Sequence, residues 1–153
     1  RLVGQQDIMP TLLELCGIPV PASVEGRSML GDRRRDLLYG EEGEGANASR
    51  MVHDGRHKLI YYPAGNHFHL FDLSVDPEEL VDLSDDPAYR NNRGDLVSRL
   101  TDELYGTDSE FVQDGMLAGI PEPAYRYQAQ PGLFGQRGGH WPPPPATGIG
   151  VPL

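Results

Sequence analysis

A single cysteine, Cys16, is all the thiol chemistry this chain carries, which excludes an internal disulfide and leaves the redox compartment open. Long apolar runs are missing too. Nowhere do about 18 apolar residues follow one another, so nothing reads as a membrane-spanning helix. Positive charge is scarce: 13 Lys and Arg stand against 23 Asp and Glu, for a formal charge of −10. That balance argues against a nucleic-acid partner, because a phosphate-binding surface needs clustered basic side chains. The one basic run, Arg33-Arg34-Arg35, is followed by Asp36 and a Glu-rich segment and reads as a solvated turn. No glycine-rich phosphate loop, no G-x-S-x-G elbow and no alternating oxygen-ligand pattern of a calcium loop occurs. By motif alone, the chain contains no complete active site.

What is present is glycine and proline, 19 and 14 of them in 153 residues, so much of the chain must be irregular. The rest suffices for one modest domain. The chain does not start with Met and enters an element almost at once, and it is read as a piece of a longer protein. Asp7 to Leu15 reads as a helix, with Asp7 able to cap, Pro10 in the first turn, and Ile8, Leu12 and Leu15 on one face. Gly17 and the "IPVP" that follows end it. "DLLYGE" (36–41) reads as a short strand. "RMVHDGRHKLIYYP" (50–63) reads as strand, Asp-Gly turn, strand, and "HFHLFDL" (67–73) as a further strand after a turn at Pro63 and Gly65. Residues 74–89 read as loop with one helical turn. Asn92 to Tyr105 is a helix whose Leu96, Leu100 and Leu104 form one stripe. From residue 107 onward periodicity vanishes into a Pro/Gly-rich, partly polyproline-like tail.

This predicts an α+β fold: a small antiparallel sheet of three to four strands with a packed C-terminal helix, followed by the extended tail. The divisions fall at 1–31, 32–106 and 107–153. In "KLIYYP" both alternating faces are apolar, Leu59 and Tyr61 on one and Ile60 and Tyr62 on the other. A strand of that kind has both faces covered, and the helix can cover only one.

Two histidines, His67 and His69, lie two apart and point to the same side of their strand. Such a pair serves as metal ligands, as the lining of a substrate pocket, or as plain polar strand positions. No Cys or Glu at a telling spacing completes a metal site. Cys16, at the carboxyl end of its helix, lacks the field that lowers a thiol pKa and reads as a buried structural thiol.

The phrases "QQDIMPTLLELCGIPVPASVEGRSML" (5–30), "LLYGEE" (37–42), "GRHKLIYYP" (55–63) and "HLFDLSVDPEELVDLSDDP" (69–87) come in an order that resembles the carboxyl-terminal portion of sulfatases, of the arylsulfatase and choline-sulfatase kind within the alkaline-phosphatase-like superfamily. "DGMLAGIPEP" and "GQRGGHWPPPP" also look like the tail of some bacterial members. The resemblance implies a four-stranded sheet with a packed helix docked on a large α/β catalytic domain, with residues 1–31 as the last helix and linker of that domain. It implies sulfuric ester hydrolysis in the intact enzyme, or phosphate or phosphonate ester hydrolysis, and an inactive fragment. It implies calcium or another divalent metal and a formylglycine in the missing N-terminal domain.

This chain departs from the family's C/S-x-P-x-R signature, since Gly-Ile-Pro-Val-Pro follows Cys16, so no catalytic residue is carried over. What the resemblance does carry is a contribution to the substrate rim by Asn66, His67 and His69. A homo-oligomer through the tail is a further expectation. A non-catalytic interaction module and a small metal protein centred on His67 and His69 stay open as alternatives, as do cytoplasmic and periplasmic placements.

Overall fold

The computed structural model describes residues 1–32 and 34–123. Four strands follow one another as an antiparallel meander: β1 (Leu38–Glu42), β2 (Ser49–His53), β3 (His57–Tyr62) and β4 (His67–Asp72), in the spatial order β1-β2-β3-β4. The Asp54-Gly55 step turns β2 into β3 as its sequence predicts. Gly55 takes φ +101°, where a side chain would be strained, and Asp54 accepts from the backbone N–H of Arg56 and His57 at 2.8 and 2.6 Å. The register sets Ile60 opposite both Met51 and His69, and Leu59 opposite Val52 and Leu70.

Alternation along β3 sorts the sheet into two faces. Val52, Leu59, Tyr61 and Leu70 are sealed on one face by Leu96 and Leu100 of the long helix α2 (Arg90–Glu103). Burying each of those side chains is worth roughly 1.5–3 kcal/mol, which makes this layer the main source of stability. Leu104, expected on the helix, has already left it with ψ 138°, yet it still packs against the core. On the opposite face Met51, Ile60 and Tyr62 are only half-buried. An open cleft of about 1120 Å³ separates the β1 end of that face, at Leu38, Gly40 and Met51, from Gly4–Gln6 near the start of the chain.

The N-terminal segment is held by polar contacts. A 3-10 turn, Gln5–Asp7, leads into α1 (Ile8–Leu15). The Asp7 carboxylate does not cap α1; it accepts from the N–H groups of Gly4 and Arg27 at 2.9 and 2.8 Å and pairs with the Arg35 guanidinium. Burial pushes its pKa up, but those donors outweigh it and hold the carboxyl below its ordinary range. The apolar stripe of α1 finds no cover among the described residues: Ile8, Leu12 and Leu15 are 50, 56 and 64% exposed. Cys16, at the end of the same helix, is exposed as well, which corrects the expectation of a buried thiol.

Residues 106–120 differ from an extended tail. They form a 3-10 helix (Gly106–Phe111) and a minimal hairpin of β5 (Val112–Gln113) and β6 (Met116–Leu117), which returns Phe111 to the core at 1% exposure. The remainder of the expected tail, with its "WPPPP" and the oligomer contact assigned to it, lies outside the described residues. Among the described residues no helix is long and apolar enough to cross a membrane.

Candidate functional site

The turn from β3 into β4 runs through Pro63, Ala64, Gly65 and Asn66. Gly65 and Asn66 both take positive φ, +74° and +55°, so the chain reverses within two left-handed residues. The segment after β6 locks this turn. Ile120 N–H donates to Pro63 O at 2.9 Å, and Gly65 N–H donates to Ile120 O at 3.0 Å. Gly119, itself at φ +68°, lies so close that a Cβ there would run into the Pro63 carbonyl oxygen and Asn66. The hairpin tip is therefore tied down, with Pro63 buried and Asn66 exposed.

His67 and His69 project from the start of β4 onto the half-open face, as their two-residue spacing predicts. The His67 ring folds back over Gly65, where a Cβ would meet its Nε2. His69 meets the Tyr62 ring edge-on at 5.3 Å and Phe71 at 6.2 Å. Asp82 stands nearby. Burial pushes its pKa up, but the N–H groups of Leu70 and Ser84 and the field of His69 outweigh that and lower it. Asn66 does not join the two histidines. Its side chain lines an open cleft of about 580 Å³ between α2 and β6, on the helix side of the sheet.

No group of three or more His, Cys, Asp or Glu side chains gathers as metal ligands would among the described residues. His67 and His69 are thus two donors without a third, and Cys16 stands outside any C/S-x-P-x-R context. Neither the metal nor the formylglycine of a sulfatase fits the described residues.

Two buried polar clusters escape any sequence pattern. Asp72, fully buried at the end of β4, accepts from Arg56, from the N–H and hydroxyl of Ser74, and from Tyr89 OH at 3.2 Å. His57 Nε2 stands 3.8 Å from the same carboxylate, and its Nδ1 lies 3.3 Å from Asp54. The Arg56 and Ser74 hydrogen bonds hold the Asp72 carboxyl far below the usual carboxylate range despite burial. Arg50 and Asp108 form the second cluster, which ties β2 to the 3-10 helix after α2. Both clusters pair their charges within the chain.

The family described as "N-sulphoglucosamine sulphohydrolase, C-terminal" matches residues 1–105. The chain is 31% identical over 123 residues to an arylsulfatase of Clostridium perfringens, covering 76% of this chain and 26% of that protein. It is 33% identical over 116 residues to a Delta 4,5-hexuronate-2-O-sulfatase of Bacteroides thetaiotaomicron, covering 69% and 24%. Among solved structures, a 2-O GAG sulfatase superposes with a TM-score of 0.52 at 28% identity, over 70% of this chain and 26% of that one. The chain thus spans about a quarter of the length of the curated relatives it matches.

Proposed function

The chain belongs to the family of N-sulphoglucosamine sulphohydrolase C-terminal domains, and from that premise we propose that it is the C-terminal subdomain of a sulfuric ester hydrolase whose catalytic residues lie outside this sequence. In this reading the metal and the formylglycine belong to a catalytic domain of the same protein. The surface that meets that domain is the exposed stripe of α1 together with the half-open face of the sheet. The observation that carries the reading is the apolar surface left over after the fold is complete. Regular elements place Ile8, Leu12 and Leu15 on α1, which remain exposed, and Ile60 and Tyr62 on β3, which are only half-buried. A patch of that kind marks an interface.

The tied-down tip and the start of β4 then stand at the rim of the substrate pocket. His67 and His69 contact the part of the substrate away from the ester, and Asn66 contributes from the other side of the turn. Here those contacts hold ground state and transition state alike, so that losing them raises KM and leaves kcat unchanged. The test is hydrolysis of an aryl sulfate, with calcium supplied, by the intact protein that carries this segment. His67→Ala and His69→Ala should raise KM by roughly 3- to 10-fold while kcat stays near its original value. Unchanged KM in both variants would remove the rim assignment. Turnover of a phosphonate ester but no sulfate ester would move the protein to the other branch of the superfamily. No turnover of either would leave an interaction module.

A further inference from the structure

The segment between β4 and α2 turns apolar side chains outward although it is tied down along its length. It leaves β4 at Asp72 and returns along the outer edge of that strand. There Leu83 N–H donates to Leu70 O at 2.8 Å, and Leu70 N–H donates to the Asp82 carboxylate at 2.9 Å. In between, the Asp76 carboxylate accepts from Val81 N–H at 2.9 Å and closes residues 76–81 into a ring. Glu79, at φ +58°, is pinned by Lys58 Nζ, which donates to both of its carboxylate oxygens at 2.9 and 2.7 Å. Val75, Leu80 and Val81 nevertheless stand 72, 76 and 57% exposed. The Asp76–Val81 contact brings the Leu80-Val81 end of the ring back to Val75, so the three crowd one end of one loop. A single exposed apolar side chain needs no explanation, but three within seven residues of a fixed loop mark a contact surface.

The charge around them is of one sign. Residues 74–86 hold six carboxylates and no base. Among the described residues only Glu79 of these is in an ion pair. Asp76, Asp82 and Asp86 accept from backbone N–H groups, which leaves their charge in place, and Glu78 and Asp85 are exposed. This combination selects the occupant. A second copy of this chain, at net charge −10, would bring like charge onto like, and so would a nucleic acid or an anionic lipid surface. The complement is a protein segment whose apolar side chains are flanked by Lys or Arg.

We propose that residues 74–86 form a docking surface for such a basic segment of another protein, with its apolar side chains on Val75, Leu80 and Val81 and its bases on the surrounding carboxylates. The loop stands apart from α1. It follows the β4 edge of the sheet, whereas Gly4–Gln6 face the β1 edge, three strand spacings or roughly 14 Å away. It meets the half-open face of the sheet at the Glu79–Lys58 pair.

The test uses the intact protein that carries this segment and follows the fluorescence anisotropy of three labelled dodecapeptides at near-physiological salt. One alternates Leu with Lys, one Ser with Lys, and one Leu with Glu. Saturable binding of the Leu-Lys peptide alone is expected. Leu80→Ser combined with Val81→Ser should weaken it at least fivefold, and so should Glu78→Gln combined with Asp85→Asn. Neither pair should shift the melting temperature, because all four side chains are exposed. Met116→Ser, at a 69% exposed apolar position outside the loop, should leave binding unchanged. Equal binding of the Ser-Lys peptide would overturn the surface in favour of diffuse charge. No binding at all would overturn it by showing that the protein's own catalytic domain covers the loop. Self-association abolished by Leu80→Ser would give the patch to a second copy, and an equal loss in Met116→Ser would remove it from this loop. Hydrolysis plays no part in the readout, so failure of this surface and failure of the rim assignment are separate results.

Discussion

Arg50 and Asp108, 58 residues apart in sequence, meet in a two-pronged ion pair with both N···O distances at 2.6 Å and both residues almost fully buried. The third guanidinium nitrogen donates to the carbonyls of Glu42, Gly43 and Ser49, so the arginine has satisfied acceptors on every side. The pair fixes the segment after α2 against β2, and with it Phe111, whose ring lies 5.8 Å from the guanidinium carbon. Breaking such a pair strands a buried charge, at a cost of about 3–5 kcal/mol. Arg50→Ala and Asp108→Ala should each lower the unfolding free energy by that amount in urea titration. Replacing both together should cost clearly less than the two added, because no lone charge is then left inside.

Asp72 links stability to pH. Its carboxyl is held far below the ordinary range by Arg56 and Ser74, so it is a group with a depressed folded-state pKa. The stability it supplies is complete above the unfolded aspartate pKa of about 3.9 and is lost as pH falls through that value toward the folded one. Asp72→Asn should therefore lower the melting temperature at pH 7 by roughly 5 °C or more. The gap between the two proteins should narrow steadily below about pH 4. A gap that stays constant from pH 7 to pH 2 would show that shape, not charge, is what Asp72 contributes.

Parts of this fold are legible in the sequence because they repeat. Leu96 and Leu100 announce α2 by their four-residue spacing, Asp54-Gly55 announces the hairpin, and the doubly apolar β3 correctly announces a second face that α2 does not cover. The return of residues 106–120 is not legible. Its anchoring residues Phe111, Leu117 and Ile120 are spaced without a period, and a 3-10 helix followed by a six-residue hairpin leaves none to find. The site divides the same way. A two-residue period puts His67 and His69 on one side, whereas two successive left-handed residues send Asn66 to the other, which residue types alone do not encode.

The half-open surfaces give a test of what is core and what is interface. Leu100 is fully buried and Leu12 is 56% exposed. Leu100→Ala should cost about 2–5 kcal/mol wherever it is measured, since a cavity opens under α2. Leu12→Ala should leave this chain's stability within about 0.5 kcal/mol when measured by itself. In the intact protein the same substitution should lower the melting temperature, if α1 packs on a catalytic domain. Equal, negligible effects in both settings would mean that α1 faces solvent throughout.

Gly119 controls the position of the hairpin tip without touching any ligand. At φ +68° it sits where a side chain is strained, and a Cβ would also press on Pro63 O and Asn66. Gly119→Ala must either twist residues 118–120 or push the tip away, breaking the pair of hydrogen bonds between Pro63, Gly65 and Ile120. A strained backbone site of this kind costs of order 1–3 kcal/mol, so a measurable loss of stability is expected. The sharper readout is local. Amide exchange at Gly65, Asn66 and Ile120 should accelerate in the variant by more than the amides of β2 and β3 near Val52 and Leu59, which quicken only by the factor the global loss of stability sets. If His67 and His69 act at a substrate rim, the same variant should raise KM in the intact protein with both histidines still present. A raised KM without faster exchange at the tip would contradict the lock that residues 118–120 are assigned here.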